Sequence, residues 1–119
     1  MKKLLEDVEV LVDAEYERAQ ERFGPINNGG DHQSYGVIKE EVEEVAEDFT
    51  QMNLALERFW DDVKCDNIKT AKKDKLATLY KYASLLACEA IQVAAMAYKA
   101  QVTIDALNVP DLQKGGPNE

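Results

Sequence analysis

The sequence predicts an all-α protein: an N-terminal helix and then a long antiparallel helical hairpin, assembling into a helical-bundle oligomer. Three observations predict it. Apolar residues recur at helical spacing in three segments, no segment alternates like a strand, and one heptad-spaced apolar run continues for about four heptads. A chain of 119 residues can bury one core but not two. The expected organisation is a single domain over 1–108 and a flexible tail over 109–119.

Residues 2–23 form an amphipathic helix anchored by Leu4, Val8, Leu11 and Phe23. Gly24-Pro25 and the turn-forming run INNGGD stop it. Asp31 or Ser34 is the expected cap of the second helix. That helix has the clearest period in the chain: Ile38, Val42, Val45, Phe49, Met52, Leu56, Phe59 and Val63 alternate steps of four and three. CDNIKT, residues 65–70, breaks the pattern. The third helix is expected over about 71–107, stopping near Asn108 and Pro110.

Charge narrows the partners. The net charge of −9 and the pI near 4.6 argue against nucleic acid or an anionic membrane. Acid is concentrated early: residues 1–64 carry 17 acids and 7 bases, whereas 65–119 carry 6 and 7. Cys65 and Cys88 lack metal-ligand spacing and read as reduced thiols of a cytoplasmic protein. MKKLLEDVEV turns acidic too soon for a signal peptide. YASLLACEAIQVAAMAY, residues 82–98, is too short for a membrane span and contains Glu89 and Gln92.

Glu89 is the chemical anomaly, a single carboxylate in the most apolar segment. In an antiparallel hairpin, facing residue numbers add to a constant. A turn centred between Asp66 and Asn67 makes that constant 133, so Glu89 faces Glu44 and Gln92 faces Glu41. At about 100° per residue, Glu40, Glu41, Glu44 and Asp48 share an arc about 100° wide, while Glu43 and Glu47 point to solvent. Acids meeting in a partly dry site either take up protons or bind a cation. Oxygen ligands without His or thiolate favour a hard ion, Mg²⁺ or Mn²⁺. The bland alternative is a solvated acidic face, with Glu89 paired to Lys39, Arg58 or Lys99.

These residues also carry a resemblance. Glu40-Glu41-Val42-Glu43-Glu44 fits an EExxE motif, and Glu89-Ala90-Ile91-Gln92 fits ExxD in all but its last residue. Their order on consecutive antiparallel helices resembles the MazG-like all-α nucleoside-triphosphate pyrophosphohydrolases, a group that includes the dimeric dUTPases. HQSYGVIKEEVEEV and EAIQVAAMAYKA are similar to its smaller bacterial and phage members, and the likeness spans about residues 14–100. The resemblance implies a homodimer or homotetramer. It also implies Mg²⁺-dependent conversion of a (d)NTP to a (d)NMP and pyrophosphate, which serves nucleotide-pool house-cleaning. By motif position, Glu41, Glu44 and Glu89 would ligate the metal, and Glu40 would be a ligand or water-orienting acid, making Glu40, Glu41 and Glu44 the catalytic set. Gln92 stands where the family has Asp; its carboxamide oxygen can ligate Mg²⁺ but adds no charge. The alternatives are a non-catalytic helical adaptor and an inactive nucleotide-binding relative.

Other residues carry weaker expectations. Lys72, Lys73 and Lys75 read as a solubilising helix start, and Lys81 or Lys99 could reach a triphosphate. His32, Tyr35 and Trp60 are candidates to line a base pocket, although His32 reads rather as a capping or surface residue and Phe59 and Trp60 as helix packing.

Overall fold

The computed structural model describes residues 1–107. They form three helices: α1 (Lys2–Phe23), α2 (Gly30–Lys64) and α3 (Lys69–Leu107). No strand occurs among the described residues. The expected tail, 109–119, lies outside them. No described helix is long and apolar enough to cross a membrane.

Each helix boundary has a local cause. Gly24 ends α1 at φ 90°, a left-handed backbone that suits glycine, and its N–H donates to the Gln20 carbonyl at 2.8 Å. Neither Asp31 nor Ser34 caps α2. The helix starts at Gly30, and the Gln33 side chain reaches back to accept the Gly29 N–H at 2.6 Å, as the acid of a capping box does. Asp31 instead lies in the first turn, where its charge suits the helix dipole, and Ser34 is buried. α3 begins two residues earlier than expected, because the Ile68 carbonyl accepts the N–H groups of both Ala71 and Lys72.

The chain divides into two compact units, Met1–Ile38 with the chain from Ala94, and Lys39–Val93. In the first unit the buried residues of α3 are Ala95, Lys99 and Thr103, one helical stripe. Thr103 Oγ1 accepts the Asn27 N–H at 2.9 Å and donates to the Lys99 carbonyl at 2.8 Å. Asn27 Nδ2 in turn donates to Ser34 Oγ at 2.8 Å. The 24–29 loop is thus held by hydrogen bonds made out of water, each expensive to leave half-made. Tyr16 and Tyr98 meet edge to face, with centroids 4.8 Å apart. Lys99 is buried, its ammonium 5.9 Å from the Phe23 ring centre. Burial lowers its pKa, and among the described residues it forms no ion pair.

In the second unit the hairpin turn is a Schellman motif. Asn67 N–H donates to the Asp62 carbonyl at 2.8 Å and Asp66 N–H to the Val63 carbonyl at 3.1 Å, with Asp66 at φ 50°. A polar clamp stands where this motif usually has an apolar contact. Buried Asp62 accepts from Asn67 Nδ2 at 2.7 Å and from Lys75 Nζ at 3.0 Å. Both hydrogen bonds favour the carboxylate and lower its pKa. Lys75 therefore ties α3 to the end of α2. Asp66 is the costly residue of the turn, since a left-handed backbone disfavours every residue with a Cβ. Its exposed pair with Lys72, at 3.5 Å, offsets little. Asp66→Gly should stabilise the protein by about 1 kcal/mol in urea denaturation; a loss of stability would show that the side chain matters more than the backbone.

The packing of α2 departs from the expected seam. Of the two rows that compose it, Ile38, Val45, Met52 and Phe59 are half-buried, whereas Val42, Phe49, Leu56 and Val63 are 46%, 53%, 51% and 38% exposed. The deepest row is Glu41, Asp48, Ala55 and Asp62, with Ala55 at 3% and Asp62 at 6%. The inward seam is therefore Glu41, Val45, Asp48, Met52, Ala55, Phe59 and Asp62, again in steps of four and three. α2 is turned about 50° from the orientation its apolar pattern predicts. Trp60, expected to pack between helices, is 56% exposed, with Lys64 Nζ 5.7 Å from the ring centre. Cys88, in the apolar run, is exposed, as is Cys65, and both are free thiols.

Candidate metal centre

The rotation of α2 has a chemical result: its acidic row, not its most apolar one, meets α3. Glu41 and Glu44 share a face one turn apart on α2, and the antiparallel register puts Glu89 of α3 at the level of Glu44. One carboxylate oxygen from each of Glu41, Glu44 and Glu89 lies within 4.8 Å of the others. Glu41 and Glu89 are half-buried and Glu44 is exposed. All three belong to the Lys39–Val93 unit.

The electrostatics follow from the spacing. The Glu44 carboxyl is raised above its ordinary 4.5, first because it shares a hydrogen bond with Glu89 and second because the Glu89 charge repels its anion. Partial desolvation and the charges of Glu40 and Asp48 add to this. Two carboxylates this close hold one proton between them more readily than two negative charges. Glu89 Oε1 is out of solvent and has no hydrogen-bond donor among the described residues. A buried carboxylate oxygen without a donor is costly, so a proton or a cation is the natural complement.

The donor set fits a hard divalent ion. Oxygens on one Mg²⁺ at about 2.1 Å are separated by about 3 Å when adjacent and about 4.2 Å when opposite. The triad's spread of up to 4.8 Å is close to the larger of these separations. Three carboxylates without His or thiolate match Mg²⁺ or Mn²⁺ better than Zn²⁺.

The motif residues separate into groups. Glu41, Glu44 and Glu89 converge. Glu40 is exposed and acts on Glu44 through its charge, as does Asp48. Gln92, half-buried, lies one turn beyond Glu89 on α3. Lys39 pairs with Glu43 at 3.3 Å on the outer side of α2. Asp48 is the residue that motif reasoning passed over. It also lines an open cleft of about 540 Å³ with Glu47, Thr50, Gln51 and Tyr82. Its signal in the sequence was its place on the arc of Glu41 and Glu44, one turn beyond Glu44.

His32 and Tyr35 are exposed on the first turns of α2, in the other unit. Comparison with known proteins returned no matching family model, no similar curated protein and no similar solved structure.

Proposed function

We propose that this protein is a Mg²⁺-dependent nucleoside triphosphate pyrophosphohydrolase of the MazG-like type, working as a homodimer or homotetramer on a (d)NTP. One observation carries the reading: carboxylates from two helices converge on a point where one buried oxygen has no donor. Glu41, Glu44 and Glu89 are the proposed ligands, and Gln92 supplies a neutral oxygen beside them. Glu40, outside the triad and exposed, is the acid proposed to orient a water and accept its proton. The bound ion would supply charge neutralisation for the phosphate oxygens, without which a −9 protein would repel a tetra-anionic substrate. One water is consumed as the α–β phosphoanhydride bond breaks, and its two halves become the monophosphate and pyrophosphate. The cleft beside Asp48 lies within the size range of small-molecule sites and offers Tyr82 as an aromatic wall.

A panel of NTPs and dNTPs with millimolar Mg²⁺ should yield monophosphate and pyrophosphate in equal amounts from at least one member. Orthophosphate and diphosphate, or no turnover across the panel, would refute the assignment.

A non-catalytic helical interaction protein is the second reading. The exposed apolar row of α2 favours it, because such a row serves partner binding without any chemistry. Glu89 discriminates between the two, since an adaptor gains nothing from a half-buried carboxylate with one oxygen out of solvent and lacking a donor. An inactive nucleotide-binding relative, suggested by Gln92, would bind Mg²⁺ and nucleotide without releasing pyrophosphate.

A further inference from the structure

We infer that the outer face of α2 is a self-association surface, which pairs antiparallel with the same face of a second copy across a two-fold axis near residues 52 and 53. The inference stands whether or not the triad is catalytic.

The first argument is the pattern. Besides the seam turned toward α3, α2 carries a second one: Val42, Ala46, Phe49, Asn53, Leu56, Trp60 and Val63, in steps of four, three, four, three, four and three. Every member is exposed. A 4–3 seam is a helix-pairing device, and nothing within the Lys39–Val93 unit occupies this one. It is too regular for scattered surface apolar residues, which need no explanation.

The second argument is area. Among the described residues, the buried hydrophobic side chains are Ala55 and Ala95. The chain exposes 8746 Å². A folded monomer of 13.4 kDa should expose about 6,500 Å². Taking residues 108–119 out of both figures, as at most about 1,900 Å² of area and about 1.3 kDa of mass, leaves about 6,800 Å² against about 6,000 Å², an excess of about 800 Å². That matches the roughly 800 Å² that each partner contributes to a standard stable interface.

The choice of a second copy, and of its direction, comes from symmetry and charge. In an antiparallel pair the facing numbers add to 105, which sets Val42 against Val63 of the second copy and Phe49 against Leu56. The seam is thus complementary to itself, as an isologous contact requires. Asn53, the one polar member, falls beside the axis and meets its own counterpart, where paired carboxamides fix register. A parallel pair would set residues 39–48, with six acids and one lysine, against their own copy. The antiparallel pair sets them against residues 57–66, where Arg58 and Lys64 partly balance four acids.

The test uses the full chain at 1–50 µM. Sedimentation should give the mass of two chains or an even multiple, and Phe49→Glu with Leu56→Glu should weaken association at least about 100-fold. Asn53→Cys, in a chain with Cys65→Ser and Cys88→Ser, should give a covalent dimer with a short bis-maleimide, whereas Glu47→Cys, off the seam, should not. A monomeric native chain would overturn the inference and leave the face to a different partner. An oligomer that ignores both glutamates, or that does not cross-link at position 53, would overturn it equally. Should the double variant lose helicity, the cross-link decides.

Discussion

Glu89→Gln should lower pyrophosphate release at least about 100-fold while raising the melting temperature of the metal-free protein. The two effects go in opposite directions for one reason. Glutamine keeps the size and one oxygen of glutamate but removes its charge. In the metal-free protein near pH 7.5 that removes the Glu89 charge that repels the Glu44 anion, so the hairpin gains stability. With metal, one of three anionic ligands is lost. Replacing residues that merely support ligands already costs 10–100-fold in affinity or activity, so loss of a ligand itself should cost at least the upper end. Circular dichroism should show unchanged helicity, which separates a site effect from unfolding. Full turnover in Glu89→Gln would refute the site. A lower melting temperature would mean that Glu89 is a paired core acid after all.

Millimolar Mg²⁺ should raise the melting temperature near pH 7.5 and have no such effect near pH 4. Glu44 has a raised pKa in the folded chain, so the folded state binds more protons than the unfolded state between 4.5 and that raised value. Stability contributed by the shared proton is therefore complete below about pH 4.5 and is lost as pH rises through the folded pKa. Above that window Glu44 is an anion repelled by the Glu89 charge, and a divalent cation takes the place of the proton. At 100 times its dissociation constant a ligand adds about 2.7 kcal/mol, on the order of 10 °C for a domain this size. The Asp62 clamp does not interfere, because its pKa is lowered. Its contribution is present above pH 3.8 and is lost only as pH falls through a value below that. A Mg²⁺ response that is flat from pH 4 to 8, or equally large at both ends, would count against the triad as a cation site.

Three helices were legible because their stops are chemical. Gly24 and the CDNIKT break mark α1 and the hairpin turn to within a few residues. The Schellman turn at Asp66 and Asn67 also made the level of Glu44 against Glu89 readable, because an antiparallel pair fixes facing positions by addition. Caps were harder. Gln33 competed with Asp31 and Ser34 for the start of α2, and a long side chain reaching back from within the helix has no strong positional signature.

By itself, then, the sequence determined where the helices lie and how far along one helix each residue of the other falls. Only the tertiary structure decided which face of α2 turns toward α3. Heptad spacing shows that a helix has a face to bury, but Val42, Phe49, Leu56 and Val63 can be covered by another chain as well as by their own. The row of Glu41, Asp48, Ala55 and Asp62 carries two seam-compatible neighbours, the small Ala55 and the clamped Asp62, that let α3 pack there. That rotation about a single helix axis brings the three carboxylates together, and it leaves an apolar row facing outward.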